Sequence, residues 1–511
     1  MLKKKQNKIL MIIYCLVISI VLLLICTKSS PLYPLNDWVD SNAFFTMGKG
    51  MMNGKVLYRD LFEQKGPLLY LIHGMAYLIS NKTFLGVYIF EVISFTLFLY
   101  FCHKIINIYF ERKYSYIALP LIGAVILNIK NFAQGDSAEE FCIPLLTISL
   151  YYLIRYFNKE YKVKPIENKV LFLNGFLAGC VLWIKYSMLG FWFAWMMMIF
   201  FASILDKRYK DSIKECFVFL LGMFIATLPW IVYFGVNGAI KDWIDTYIFV
   251  NLNSYTVSFT LHERVEFIIN TFRNGFKDNI IYAVFLIVGA IGSIFTNKYM
   301  KNIIGKIALI AVFFFLLLGV YGGGRGYMYY FFIFSPFMIF GVLILLSFIR
   351  FISKDKLPRR LTLLIGIIII IISIPLTLKY NRNVYLLNVK KDQLAQYKFA
   401  EIINKTPDAT LLNYGSLDNG FYITTGITPD FKHFEIQNIP HNKFPENRDE
   451  QNRYVKEAIP DYIVMKVNSK MNVNNIKPKY IWDNYEVVAE QTQRIYVNTK
   501  VKYVLFKRKG L

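Results

Sequence analysis

The chain carries no GxxxxGK[ST] loop, no HExxH and no GxSxG. Those absences exclude P-loop phosphate binding, zincin-type proteolysis and the nucleophile elbow of the α/β-hydrolases. Only five histidines occur, dispersed without ligand spacing, so no histidine-based metal centre is spelled out. The six cysteines, Cys15, Cys26, Cys102, Cys142, Cys180 and Cys216, lie in or beside apolar runs, and residues 380–511 have none. No CxxC pair is present, and neither a disulfide framework nor a thiolate site is implied. There is no internal repeat or low-complexity segment, and the paired broken helices of many transporters are not evident.

Acidic residues are scarce, with 34 Asp and Glu against 58 Lys and Arg, for a formal charge of +24. A nucleic-acid binder would gather this excess on one soluble face. Here it is spread as clusters at 3–8, 103–113, 155–169, 207–214, 298–306 and 350–360, each beside an apolar run. Cytoplasmic loops of a membrane protein explain that pattern, so membrane lipids and no nucleic acid are the expected partners.

Apolar residues are abundant, at 56% hydrophobic and 17% aromatic content. Runs such as "IGIIIIIISIPLTL" and "IALIAVFFFLLLGV" recur, and runs of about 18 residues or more read as transmembrane helices. With every basic cluster cytoplasmic, the crossings fall at 9–27, 84–102, 115–130, 141–157, 170–184, 188–205, 215–236, 279–296, 305–321, 327–349 and 361–379. "MLKKKQNK" opens like a signal peptide, but "TKSSPLYP" is a poor cleavage site, so the first helix is read as uncleaved. The run "LLYLIHGMAYLIS", 68–80, is shorter than the ~20 residues a crossing needs. It is expected as an interfacial or re-entrant helix on the outer side.

The expected fold is therefore an all-α polytopic membrane protein of about eleven crossings plus interfacial helices. Its N-terminus lies in the cytoplasm of a multi-pass cell-membrane protein, and residues from about 380 lie outside. Composition shifts sharply there, defining a membrane domain over 1–380, with outer loop 28–83, and a second domain over 381–511. The second shows helix-like stretches at 391–404 and 446–458, with strand-like "ATLLNYG", "GFYITTGI", "DYIVMKV", "YEVVAEQ" and "KYVLFKR". That alternation predicts a small extracytoplasmic α/β domain.

Three polar constellations fall on the outer side. In "NDWVDSNAFFTMGKGMMNGKVLYRDLFEQKGP", Phe44, Phe45, Gly48, Met51 and Met52 mark the apolar stripe of a helix long enough to lie in the membrane interface. Asp37 is expected to cap this helix and Asp40 to sit in its first turn, favoured by the dipole. Asp40 also suits a carboxylate taking a proton from a hydroxyl. Lys49, Arg59 and Lys65 suit either anionic headgroups or a phosphate. In "QGDSAEEF", Asp136, Glu139 and Glu140 crowd the mouth of a helix. Asp136 or Ser137 capping, with Glu139 or Glu140 in the first turn, explains one or two of them and leaves the rest for function. In "YGGGRGYMYYFFIFSP", glycines beside Arg325 allow a turn whose amides approach an anion, although a lone Arg also snorkels. Lys185 is read as a snorkelling cation, and His73 as a packed or interfacial residue rather than a catalyst.

The order of an N-terminal crossing, an outer-loop acid opening an amphipathic helix, and then "VLYRDLFEQKGPLLY" resembles the GT-C membrane glycosyltransferases. The likeness is to the bacterial relatives of dolichyl-phosphate-mannose protein mannosyltransferases and of the aminoarabinose lipid A transferase. It covers roughly 1–350 and is strongest at 36–70. The resemblance implies transfer, with inversion, of a sugar from a polyprenyl-phosphate donor to an acceptor hydroxyl on the outer face. It places the catalytic acid on Asp40 and a second acidic site on Asp136 and Glu139. It matches Arg59, Lys65 and Arg325, in descending order, to the family's basic positions that steady the phosphate; Lys49 and Glu140 are expected to bind substrate beside them. Met328–Tyr329 stands where the family pattern has His–Tyr, which removes any role of that His.

The function expected is a hexosyl- or glycosyltransferase acting on a cell-surface glycan, glycopolymer or lipid-linked acceptor. The sequence spells out no cofactor. The carboxylates at 136–140 leave a divalent metal conceivable but offer no fixed ligand spacing. The rival readings are a transporter or flippase for lipid-linked sugars, and a transferase-like scaffold without activity. A transporter should place its polar residues at mid-membrane depth.

Overall fold

The computed structural model describes residues 2–496 and 499–511. Side chains of residues 2–5, which include Lys3, Lys4 and Lys5 of the first basic cluster, lie outside the described residues. Contacts divide the chain into two compact units. One holds residues 1–26, 91–229 and 258–381, and the other holds 27–90, 230–257 and 382–511.

The first unit is helical. Among the described residues of the whole chain, eight helices are long and apolar enough to cross a membrane, or nine if one bent pair counts as a span. The eleven expected crossings differ from this count at three places. Residues Asn168–Leu205 form one apolar run of 38 residues, interrupted by a 3₁₀ turn at Tyr186–Leu189. Helices Leu261–Asp278 and Ile280–Phe295 meet at a 116° bend. Helix Ser115–Asn128 is only 14 residues long, short of a full span.

Helix Leu261–Asp278 starts at a complete capping box between Thr260 and Glu263. It leaves Leu261, Val265 and Ile269 exposed on one face. The bend after it is pinned by Asn279, whose Nδ2 donates to the Gly275 carbonyl at 2.8 Å. The Asn279 Oδ1 accepts the Lys130 amide at 2.7 Å. Close helix approach uses small residues: a Cβ added to Gly175 would lie 1.8 Å from the Phe219 carbonyl oxygen.

The second unit holds a four-stranded sheet made of β1 (Leu411–Tyr414), β2 (Tyr462–Asn468), β3 (Tyr485–Tyr496) and β4 (Thr499–Arg508), in the order β1-β2-β4-β3. β1 runs parallel to β2, with Leu412 opposite Ile463. β4 is antiparallel to both β2 and β3. One face carries Leu412, Tyr414, Ile463, Met465, Val504 and Phe506, packed with Tyr454 and Val455 of helix Glu446–Lys456. On the other face, Tyr503 meets Phe421, which stacks on Phe399 of helix Ala395–Ile403. Helices on both faces make this the expected α/β domain.

One expected strand is not formed. "GFYITTGI" is a helical turn over Phe421–Thr425, bounded by Gly420 at φ 86° and Gly426 at φ 80°. The Asp418 Oδ1 accepts the Gly420 amide at 2.8 Å, and the Thr425 hydroxyl donates to the Phe421 carbonyl at 2.7 Å. Local side-chain bonds of this kind outcompete extended backbone.

Two segments of the loop 28–83 belong to the same unit. Helix Pro67–Ile79 is 13 residues long, too short to cross. Helix Val39–Met52 packs on it so closely that a Cβ on Gly48 would meet the Gly74 amide nitrogen at 2.3 Å. The stripe expected to face lipid is therefore covered by protein, and all of residues 41–50 are buried. Phe45, Ala76, Phe84, Leu394 and Ile423 form one core that joins the outer loop to the C-terminal residues.

Candidate functional site

Helix Val39–Met52 begins with Trp38 at its N-cap and no capping side chain. The expected cap, Asp37, is elsewhere. The Asn36 Oδ1 accepts the Trp38 amide at 3.0 Å and fixes the entry turn, which frees Asp37 to pair with Lys28. Tyr385 also donates to Asp37, at 2.6 Å. The Lys28 and Asp37 side chains are 1% and 6% exposed, so this is a buried ion pair.

Asp40 occupies the first turn as expected. It is partly exposed, in contrast to the ten buried residues that follow it. The helix N-terminus favours its carboxylate. One turn along the same face, Phe44 meets His73 edge-on, and Lys65 Nζ lies 5.8 Å from the Phe44 ring centroid. Lys65 is thereby held on Asp40's side of the helix, 3.8 Å from Glu63. His73 is fully buried, with Nδ1 against the Leu69 carbonyl at 2.8 Å, and so is packed as expected.

Lys49 lies elsewhere. Its ammonium is buried and donates to the carbonyls of Ile427 at 2.8 Å and Tyr422 at 3.2 Å. Burial pushes it down to about 8. One turn earlier, the Thr46 hydroxyl donates to Asp418 at 2.6 Å, and burial pushes that carboxyl up to about 6. Glu435 accepts the Asp418 amide at 2.6 Å and is pushed well above the carboxylate range, by burial first and then by Asp418. Arg59 is exposed and held by Asp60 at 2.9 Å and by the Asn237 carbonyl at 2.8 Å.

In the helical unit the other two constellations converge. The chain reaches Asp136 through left-handed backbone at Ala133, Gly135 and Asp136, with φ of 57°, 82° and 56°. Ser137 caps helix Ala138–Arg155 by accepting the Glu140 amide. Asp136, Glu139 and Glu140 are all buried. The Asp136 amide is shared between Glu91 Oε1 and Glu140 Oε2, each at 2.8 Å.

Glu139 forms a buried ion pair with Lys185. Lys185 Nζ also stands 3.4 Å from the Tyr330 ring centroid, a cation–π contact. Lys185 was expected to snorkel; a buried carboxylate and a ring face hold it instead. Asn131 donates to the Met328 carbonyl, and Phe132 packs on Phe332. The structure thus joins the segment around 131–140 to 328–332. Arg325 is partly exposed in the glycine turn that leads into this contact.

Asp40, Lys49, Arg59 and Lys65 thus belong to one compact unit, and Asp136, Glu139, Glu140 and Arg325 to the other. Among the described residues, no three His, Cys, Asp or Glu side chains are grouped to hold a metal ion. Sequence reading did not single out Glu91, although it is the one charged residue in "LGVYIFEVISFTLFLYFC". A lone acid inside a span is a signal in itself.

The fold places the chain in a class: a polytopic membrane protein whose C-terminal residues form a small α/β domain. The crystal structure of ArnT from Cupriavidus metallidurans bound to undecaprenyl phosphate is similar to it, covering 97% of this chain and 97% of that one, with a TM-score of 0.59 and 11% sequence identity. A family model matches residues 2–360, and the chain belongs to that family, described as the putative competence-induced protein Ccs4 N-terminal domain. No curated protein matches.

Proposed function

We propose that the chain is an inverting membrane glycosyltransferase that moves a sugar from a polyprenyl-phosphate donor to a cell-surface glycan, glycopolymer or lipid-linked acceptor. The N-terminus is cytoplasmic, and the C-terminal domain and the chemistry are on the outer face. The observation that carries this reading is Asp40, a partly exposed carboxylate opening an otherwise buried helix, in a chain whose fold is like that of a protein crystallised with undecaprenyl phosphate.

The chemistry needs few parts. Asp40 takes the proton of the acceptor hydroxyl as its oxygen attacks the anomeric carbon. The bond from that carbon to the phosphate oxygen breaks on the opposite face, and the electron pair leaves with the polyprenyl phosphate. Lys65 opposes the charge that builds on the phosphate, and Arg325 is an anion-binding candidate of the helical unit. Asp136 and Glu139 form the second acidic site, with Glu139 oriented by Lys185. Glu140 supports Asp136 by accepting its backbone amide. Lys49 and Arg59 contribute by holding the loop, since both are bonded to protein carbonyls.

The test is Asp40→Asn, assayed in membranes supplied with polyprenyl-phosphate sugars. Transfer should be lost at normal protein levels. Retained transfer overturns the base assignment. Movement of the lipid-linked sugar across the bilayer without transfer to an acceptor would instead mark a flippase.

A further inference from the structure

Glu91 is fully buried in helix Leu85–Tyr109, and its carboxyl faces that of Glu140, itself 1% exposed. Both carboxyl groups reach the same Asp136 amide, Glu91 through Oε1 and Glu140 through Oε2, each at 2.8 Å. Helix Leu85–Tyr109 grips Glu140 a second time, since the Ser94 hydroxyl donates to the Glu140 carbonyl at 3.0 Å. Two carboxylates buried against one amide are not both ionised, because burial strips their hydration and each repels the other. One proton must stay with the pair.

The arrangement also answers a conformational question. Asp136 holds a left-handed backbone, φ 56°, which costs a non-glycine residue of order 1 kcal/mol or more and persists only when its surroundings enforce it. An amide gripped by two carboxyl oxygens from two helices is such an enforcement. The grip aims the Asp136 side chain, and it holds only while Glu91 and Glu140 tolerate one another.

We propose that Glu91 is a positioning residue for Asp136, acting through a single proton that it shares with Glu140. The proposal rests on the reading of Asp136 as part of the transferase site. Glutamine at position 91 can replace the proton: its Nε2 donates to Glu140 while its Oε1 still accepts the Asp136 amide. Leucine can do neither.

The experiment uses the full chain purified in detergent, as wild type, Glu91→Gln, Glu140→Gln and Glu91→Leu. Infrared spectra of the wild type should contain a protonated-carboxyl C=O band that is lost in both glutamine variants. Transfer of a polyprenyl-phosphate sugar should largely survive in Glu91→Gln and fall about 100-fold in Glu91→Leu, the loss expected when a reacting group is displaced by about 1 Å. Thermal unfolding identifies a leucine variant that has failed to fold, in which case the glutamine variants and the band decide. Wild-type transfer by a folded Glu91→Leu, or a band unchanged by either glutamine, overturns the proposal. If no form of the protein transfers sugar, the transferase reading fails on its own. The band then still tests the shared proton, supporting it by loss in both variants and refuting it by persistence.

Discussion

The Thr46 hydroxyl donates to Asp418 across 2.6 Å, joining residues 372 positions apart. Thr46 lies one and a half turns past Asp40 on the same helix, so the C-terminal residues set where the proposed base stands. Lys49, bonded to the carbonyls of Tyr422 and Ile427, repeats the connection one turn further on. The C-terminal domain therefore orients the acid-bearing helix whatever else it recognises.

This connection has a pH signature. Burial pushes the Asp418 carboxyl from 3.8 to about 6, so the folded state binds more protons than the unfolded state between those values. Stability then falls as pH rises through that window. The ionised form costs about 3 kcal/mol above it, at 1.36 kcal/mol per unit. Lys49 is pushed down from 10.5 to about 8, so there the unfolded state binds more protons and stability rises between about pH 8 and 10.5. Asp418→Asn keeps an acceptor for the Gly420 amide and removes the ionisation. Its melting temperature in detergent should gain on wild type between about pH 4 and about pH 7. A difference that does not change with pH removes Asp418 as the titrating group.

The two aspartates three residues apart should separate cleanly by stability. Asp37→Asn leaves the Lys28 ammonium buried without its counter-charge, which costs about 3–5 kcal/mol for a buried pair. Asp40→Asn, at a partly exposed first turn, should cost under about 1 kcal/mol, the scale of a helix-dipole interaction. Denaturation of the two purified variants side by side measures this. Equal losses would mean that Asp40 is structural too.

Much of the architecture was legible in the sequence, and the reason is local. The apolar runs, the short helix after Gly66–Pro67, the four strands of the C-terminal sheet and the helix opened by Asp40 each follow from residue patterns within a window of some twenty positions. Partners were not legible. Asp37 reads as a cap because Asp near a helix start usually is one. Its real partners are Lys28, nine positions earlier, and Tyr385, 348 positions later. Lys185 reads as a snorkelling lysine until Glu139 and Tyr330 are brought to it. The stripe of Phe45 and Gly48 is the same whether lipid or helix Pro67–Ile79 covers it; only the fold decides.

Gly48→Val tests that covering. Its Cβ would meet the Gly74 amide nitrogen at 2.3 Å, a backbone atom that cannot rotate away. Helices Val39–Met52 and Pro67–Ile79 would have to separate, at about 1–3 kcal/mol or more. The expected outcome is a lower melting temperature, together with faster proteolysis of the outer loop in the purified chain. Unchanged stability would place the stripe against lipid after all.

The Glu139–Lys185 pair allows the sharpest separation of structure from charge. Lys185→Met removes the ammonium and leaves a carboxylate at 0% exposure without its partner, which should cost about 3–5 kcal/mol. Glu139→Gln alone leaves the ammonium against the Tyr330 ring, a contact that persists without the carboxylate, so its cost should be smaller. The double variant, Lys185→Met with Glu139→Gln, has no buried charge to strand and should recover much of the lysine loss. A double-mutant cycle on melting in detergent reads this as a coupling of about 1–3 kcal/mol between the two sites. Strict additivity would mean that the two side chains act separately, and that Lys185 is held by the aromatic face alone.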